Sequence, residues 1–261
     1  MRGVLGQVFS SRDERRPRHF LSPLTVARPA YYIGDIHGNY DSLARLMDVL
    51  DRDPARESTV EVVFLGDYVD RGERSREVLT LLQAISREAP QSVIMLMGNH
   101  ERMMLDFLVD PARKGAFWLT NGGLQTLASF GIGGVTESAS SALMENAAKA
   151  LAEKLTPPLI EWLQGLPLWH QNGNLFAAHA GANPDLPVNL QSEKTLLWGH
   201  PEFRETPRED GNWIIHGHTT YAHPQVVDGR IGIDTGAYHS GILTAAYVQP
   251  HAPVRFIDSR A

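Results

Sequence analysis

The chain contains no cysteine, which excludes disulfides, thiolate metal ligands and a thiol nucleophile. It has no basic surplus either. Twenty-four Lys and Arg against 30 Asp and Glu give a net charge of −6, the wrong sign for a general nucleic-acid binder, whose affinity rests on a basic surface. Any local attraction for phosphate must then be created by bound cations. Long apolar runs are missing as well. The longest uncharged stretch, 115–136, is broken by Asn121, Gly122, Gly123, Gln125 and three further glycines, so it makes no continuous apolar helix of bilayer length. Internal repeats and low-complexity segments are absent. The amino terminus lacks the order of a secretion signal: the apolar patch Val4, Leu5, Val8 and Phe9 precedes the basic residues Arg12, Arg15, Arg16, Arg18 and Arg28, the reverse of that order. Residues 1–29 read as a flexible leader, and Asp13 and Glu14 mark its basic run as solvated rather than membrane- or nucleic-acid-bound. A cytoplasmic protein with neither of those partners is expected.

What is present is an alternation. A length of 261 residues suits one α/β domain with an insertion and is enough to bury a full core. Apolar runs at Ala30–Ile33, 60–65 and 92–97 read as buried strands, with helical spacing at about 40–50, 73–88 and 100–109. This βαβ rhythm predicts mostly parallel strands with functional residues at their carboxyl ends. Between about 111 and 166 strand signals stop and helical segments with Gly and Pro punctuation take over, which predicts a helical cap beside that edge. Hairpin signals follow, over 168–178 around Asn172-Gly173 and over 226–233 around Asp228-Gly229. The expected fold is α/β, a four-layer α/β-β/α sandwich over 30–261 with the cap inserted.

Each of the first three strands ends in a polar motif: Gly34-Asp35-Ile36-His37-Gly38, Gly66-Asp67-Tyr68-Val69-Asp70-Arg71-Gly72 and Gly98-Asn99-His100-Glu101. Asp35 and His37 are two apart, so on extended backbone both leave one face and converge on one cation. Asp67 supplies a second hard oxygen and is the candidate bridge between two ions about 3.5–4 Å apart, the separation used in two-metal phosphoester hydrolysis. Asn99 offers a neutral amide oxygen, which adds no charge that would repel a phosphate. His100 is then free to donate a proton.

In this order the motifs resemble the signature of the PPP-type phosphoprotein phosphatases within the calcineurin-like metallophosphoesterases, phage lambda phosphatase-like and bacterial members included. The resemblance continues through His179-Ala180-Gly181, Gly217-His218-Thr219 and Asp234-Thr235-Gly236-Ala237, and so spans residues 31–248. It implies that Asp35, His37 and Asp67 hold one divalent ion and that Asp67, Asn99, His179 and His218 hold the other. It also implies that His100 is the general acid, oriented by Asp70, and that Arg71 binds phosphate. An Arg fork matches two phosphoryl oxygens, and a carboxylate beside an imidazole orients it and favours its protonated form. Water or hydroxide held between the ions, its pKa lowered from 15.7 towards about 7, is the expected nucleophile, with no phosphoenzyme. Nitrogen and oxygen ligands suit Mn, taken first, or Fe, Zn or Co.

Local sequence leaves some residues open. Asp35 and Asp67 taken singly read as turn carboxylates, and Arg71 as a surface ion pair. His179 closes an apolar strand and reads more readily as a core or edge residue until its place after the other motifs is counted. His216 is either an orienting partner of a ligand or a core polar group. Met95, Met97, Met103 and Met104 read as core filler, and Trp118, Trp162 and Trp169 as packing residues of the cap, with a substrate platform as the lesser reading. Many bacterial members resemble Trp-x-Arg after a Leu-Leu run; here Leu196-Leu197-Trp198-Gly199-His200 puts His200 at that arginine's place, with Arg204 the nearest substitute as a substrate-binding cation.

Three functions fit. The leading one is a phosphomonoesterase, foremost a protein serine/threonine phosphatase, acting on phosphorylated proteins or small phosphoesters. Its alternatives are a broader-specificity phosphoesterase, phosphotyrosine included, and symmetric dinucleoside tetraphosphate hydrolysis, against the last of which Asp70 and Glu101 are read because such enzymes typically carry Ala and Asp there. A metal-binding scaffold without turnover would not need both His100 and Arg71.

Overall fold

Strands apolar on both faces need cover on both sides, and the first three strands find it. The computed structural model describes residues 18–57 and 59–261. Strands β1 (Ala30–Ile33), β2 (Glu61–Phe64) and β3 (Val93–Met95) are parallel neighbours, and β9 (Thr244–Val248) and β10 (Arg255–Asp258) extend the sheet antiparallel beyond β1, in the order β10-β9-β1-β2-β3. A second sheet has the order β4-β5-β6-β8-β7, from β4 (Trp169–Asn172), β5 (Leu175–Ala178), β6 (Trp213–His216), β7 (Gln225–Val227) and β8 (Arg230–Gly232).

Side chains of period two divide the layers. Ala30 and Tyr32 of β1, Leu175 and Ala177 of β5 and Ile215 of β6 meet between the sheets. Tyr31 and Ile33 of β1 face α1 (Tyr40–Asp51) and α2 (Ser75–Glu88) on the outer side of the first sheet. Phe176 and Ala178 of β5 and Ile214 of β6 pack on the far side of the second with Leu196 of α8 (Glu193–Trp198). The four-layer α/β sandwich is therefore present, with a thin outer layer over the second sheet.

The insertion is helical: α4 (Pro111–Trp118), α5 (Leu124–Ser129), α6 (Ser141–Leu155) and α7 (Pro157–Gln164) follow α3 (Asn99–Val109) and join its hydrophobic cluster. Met95, Met97, Met103 and Met104 lie in that cluster as core. Both hairpins form, although the first turns on Gly173-Asn174, one residue later than expected, because Asn172 stays in β4. Its buried amide accepts from the N–H of Ala27 and Arg28 and donates to the Arg28 carbonyl. That contact bears on the expected leader. Residues 18–29 are laid along the second sheet: the Trp213 indole donates to the Ser22 carbonyl at 3.0 Å, and Arg18 pairs with Asp185 at 2.7 Å. Of the expected leader, residues 18–29 make these contacts, and residues 1–17 lie outside the described part. Among the described residues no helix is long and apolar enough to cross a membrane.

Candidate phosphoester site

The carboxyl ends of β1, β2, β3, β5, β6 and β8 point to one edge, and the loops leaving them are strained there. His37, Asp67, Asp70, Arg71 and His218 all have positive φ, from 46° to 73°, a region that costs a non-glycine residue about 1–3 kcal/mol and persists only where surroundings impose it. The β2 loop is imposed by Glu101, on the first turn of α3. Its buried carboxylate accepts from four backbone N–H groups: Gly98 at 2.9 Å, Asp67 at 2.9 Å, Tyr68 at 2.7 Å and Val69 at 3.2 Å. Burial and the nearby Asp67 charge push Glu101 up to about 7, against the pull of those donors. Gly98 is needed at this crossing because a Cβ there would run into Asp67 Oδ1 and N.

Two groups of ligand-type atoms, each within 4.8 Å, share Asp67: His37, Asp67 and His100, and Asp67, His179 and His218. Asp67 Oδ2 lies 3.4 Å from His37 Nε2, and Oδ1 lies 3.3 Å from His179 Nε2. Asp67 thus lies between the two groups, with one carboxylate oxygen towards each. Asn99 Oδ1 lies 2.8 Å from His179 Nε2 and 2.9 Å from His218 Nδ1, so Asn99 joins the second group. The Asp35 carboxylate accepts the His218 backbone N–H at 3.0 Å and stands beside, not within, the two compact groups. Burial and the neighbouring Asp234 raise it well above the usual carboxylate range.

The imidazoles are pre-oriented by their outer nitrogens. His37 Nδ1–H donates to the Val69 carbonyl and His179 Nδ1–H to that of Leu65, both at 2.9 Å, which leaves each Nε2 facing the carboxylates. Burial lowers His37 to about 3 and, with His179 beside it, lowers His218 to about 4. Burial also opposes charge on His179, yet the Asp67 carboxylate wins and raises it to about 10. For Asp67 burial favours the neutral acid, but His179, His100 and His37 outweigh it and hold the carboxyl well below its ordinary range. Buried anionic oxygen and imidazole nitrogen, closely spaced and without sulfur, fit a borderline divalent cation.

Distance alone does not separate His100 from the ligands; its partner does. His100 Nδ1–H donates to Asp70 Oδ2 at 2.7 Å. The Asp70 carboxylate also accepts from Trp118 Nε1–H at 2.9 Å and Thr126 Oγ1–H at 2.7 Å. Burial would lower His100, but Asp67 and Asp70 raise it above its ordinary value. Trp118 and Thr126 come from the insertion, so the cap acts here through Asp70. Sequence reasoning took Trp118 for a packing residue; no local signal ties it to a carboxylate 48 positions away. Trp162 donates to Ser86 and Trp169 stacks on Phe176, both as packing.

Arg71 reaches across the site, with Nη1 3.1 Å from His37 Nε2 and Nη2 3.2 Å from His100 Nε2, and its guanidinium lies over the Tyr238 ring at 4.9 Å. Tyr238 carried no sequence signal. Arg204 is exposed and lines a cleft of about 510 Å³ with His218, Thr219, His200 and Trp198. His200 in that cleft accepts the Glu202 backbone N–H on its Nδ1. His216 Nδ1–H donates to the carbonyl of Gly217, the residue before His218, and its ring packs on Phe203.

A family model described as calcineurin-like phosphoesterase matches residues 29–222. The asymmetrical bis(5'-nucleosyl)-tetraphosphatase PrpE of Bacillus velezensis is 29% identical over 244 residues, 85% of this chain and 90% of that protein. The protein of the same name in Bacillus subtilis is 27% identical over 81% of this chain and 87% of its own length. The crystal structure of a cold-active protein-tyrosine phosphatase from a psychrophilic Shewanella matches with a TM-score of 0.59 at 17% identity, over 88% of this chain and 80% of that one. At that identity the likeness speaks for the fold alone.

Proposed function

We propose a function from one premise: the chain belongs to the calcineurin-like phosphoesterase family, and within it we read a hydrolase of dinucleoside tetraphosphates that cuts them asymmetrically. The observation that carries this reading is the likeness to tetraphosphatases over 85% of the chain, joined to a site with two ligand groups sharing Asp67. The phosphoprotein reading leaned on Asp70 and Glu101. Both are fully buried, one occupied with His100, Trp118 and Thr126 and the other with backbone N–H groups, so neither faces a leaving group and neither selects a substrate.

Asp35, His37 and Asp67 would hold one divalent ion, and Asp67, Asn99, His179 and His218 the other. Bound there, Mn, Fe, Zn or Co supplies Lewis acidity towards the phosphoryl oxygens and towards water. Arg71 takes two phosphoryl oxygens through its fork. In doing so it leaves His100 Nε2, which can then carry a proton under the influence of Asp67 and Asp70. Water oxygen bonds to phosphorus and gives up a proton to solvent, the bond from phosphorus to the leaving phosphate oxygen breaks, and that oxygen takes the proton from His100 Nε2. Arg204 contacts phosphates further along the chain.

The test is metal-stripped protein reconstituted with each metal and given diadenosine tetraphosphate or phosphopeptides. The reading expects AMP and ATP in equal amounts. Two ADP would show symmetric cleavage, and phosphate from phosphopeptides with the dinucleotide intact would overturn the reading.

A further inference from the structure

We infer that Trp198 and Phe117 form a platform on which a nucleobase of the substrate stacks. The inference rests on the nucleotide reading above and adds the element that recognises the base.

Trp198 ends α8 and Phe117 is the penultimate residue of α4, and their ring centroids are 6.0 Å apart at an angle of 44°. Both rings stay open to solvent, Phe117 at 55% and Trp198 at 38% exposure. Each follows or precedes an anchored neighbour. Leu197 is buried, and Trp118 is fully buried with its N–H on Asp70. The N–H of Ala180, next to His179, donates to the Leu196 carbonyl at 2.8 Å, fixing α8 against the strand end that carries a ligand. Arg102 of α3 pairs with Glu193 at the start of α8 at 3.0 Å. The rings are therefore held in place relative to the site while their faces remain free.

Position separates this pair from the other exposed aromatics. Trp169 is stacked on Phe176, and Tyr238 is engaged with Arg71 and His37. Trp198 lines the cleft that contains His218 and Arg204. A nucleoside polyphosphate reacting beside His218 would pass its remaining phosphates along Arg204 and reach the indole with its base. Base stacking on an aromatic ring needs only a π-face and serves any nucleobase. A phosphopeptide with no aromatic side chain beyond its phosphate would make no comparable use of the two rings.

Two measurements test this. In the metal-loaded protein, the ratio of kcat/KM for diadenosine tetraphosphate to that for inorganic tripolyphosphate should fall about 10- to 100-fold in Trp198→Ala, less in Phe117→Ala, and should be largely restored in Trp198→Phe. An unchanged ratio overturns the platform, as does an equal loss on both substrates, which would mark a structural role. The second measurement holds even where the dinucleotide is not a substrate and the function reading fails. With p-nitrophenyl phosphate as substrate, AMP should inhibit more tightly than inorganic phosphate, and Trp198→Ala should abolish that advantage. AMP inhibiting no better than phosphate in the unaltered protein would refute the inference on its own.

Discussion

Asp70→Asn isolates the charge that stands behind His100. The Asp70 carboxylate is fully buried and takes three side-chain donors, His100 and Trp118 on Oδ2 and Thr126 on Oδ1, with the Trp118 N–H shared between the two oxygens. An asparagine can place its oxygen where Oδ2 lies and turn its NH2 towards Thr126, whose hydroxyl can rotate to accept. The substitution therefore keeps His100 in the same tautomer and removes only the charge. Charge-assisted hydrogen bonds contribute about 1.5–3 kcal/mol and neutral ones about 0.5–1.5, a difference of about 1–2 kcal/mol in how well the imidazolium is held. Expressed in the barrier, that is a fall in kcat of about 5- to 30-fold. Asp70 is among the groups that raise His100, so its loss moves the alkaline limb of the pH–rate profile to lower pH. The assay is kcat against pH on diadenosine tetraphosphate, with metal content determined on the same samples and a thermal melt to confirm folding. Unchanged kcat at unchanged metal content, or an alkaline limb moving upward, would refute the role given to Asp70.

Three further outcomes follow from the same geometry. His179 is raised to about 10 in the metal-free protein, burial opposing and Asp67 prevailing. This raised pKa gives a stabilisation fully present below its unfolded pKa near 6.5 and lost as pH rises through about 10, and cation uptake must expel the proton. Calorimetry in buffers of different ionisation enthalpy should detect proton release on metal binding at pH 7, and affinity should weaken as pH falls. Gly98→Ala places a Cβ against Asp67; circular dichroism melts should show a lowered melting temperature, and metal content should fall with it. Arg71→Lys keeps a positive charge but loses the fork that spans His37 and His100, so KM should rise about 10-fold or more while metal content stays constant.

The first three strands, their parallel run and the edge at which their polar motifs meet were legible because each is local. Short apolar runs ending in Gly-Asp or Gly-Asn mark β1 to β3 and the βαβ rhythm makes them parallel, whereas the place of β9 and β10 beside β1 has no local signal. Asp67, Asn99, His179 and His218 meet as their motifs implied. What was not legible is long-range. Nothing near Trp118 or Thr126 announces a contact with Asp70 across 48 and 56 positions, and nothing near Tyr238 announces the Arg71 guanidinium. Substrate preference is not legible for the same reason. Asp70 and Glu101 look discriminating as letters in a motif, yet the fold turns both inward to hold other groups, and the exposed Arg204 and Trp198 line the cleft instead.

The central claim is tested most directly by counting ions. Metal-stripped protein titrated with Mn and analysed for bound metal should take up two ions per chain, with hydrolysis of diadenosine tetraphosphate rising until the second is bound. Asp67→Ala, which removes the carboxylate common to both ligand groups, should bind neither tightly and lose turnover. One ion at full activity, or undiminished hydrolysis by the Asp67 variant, would contradict the account.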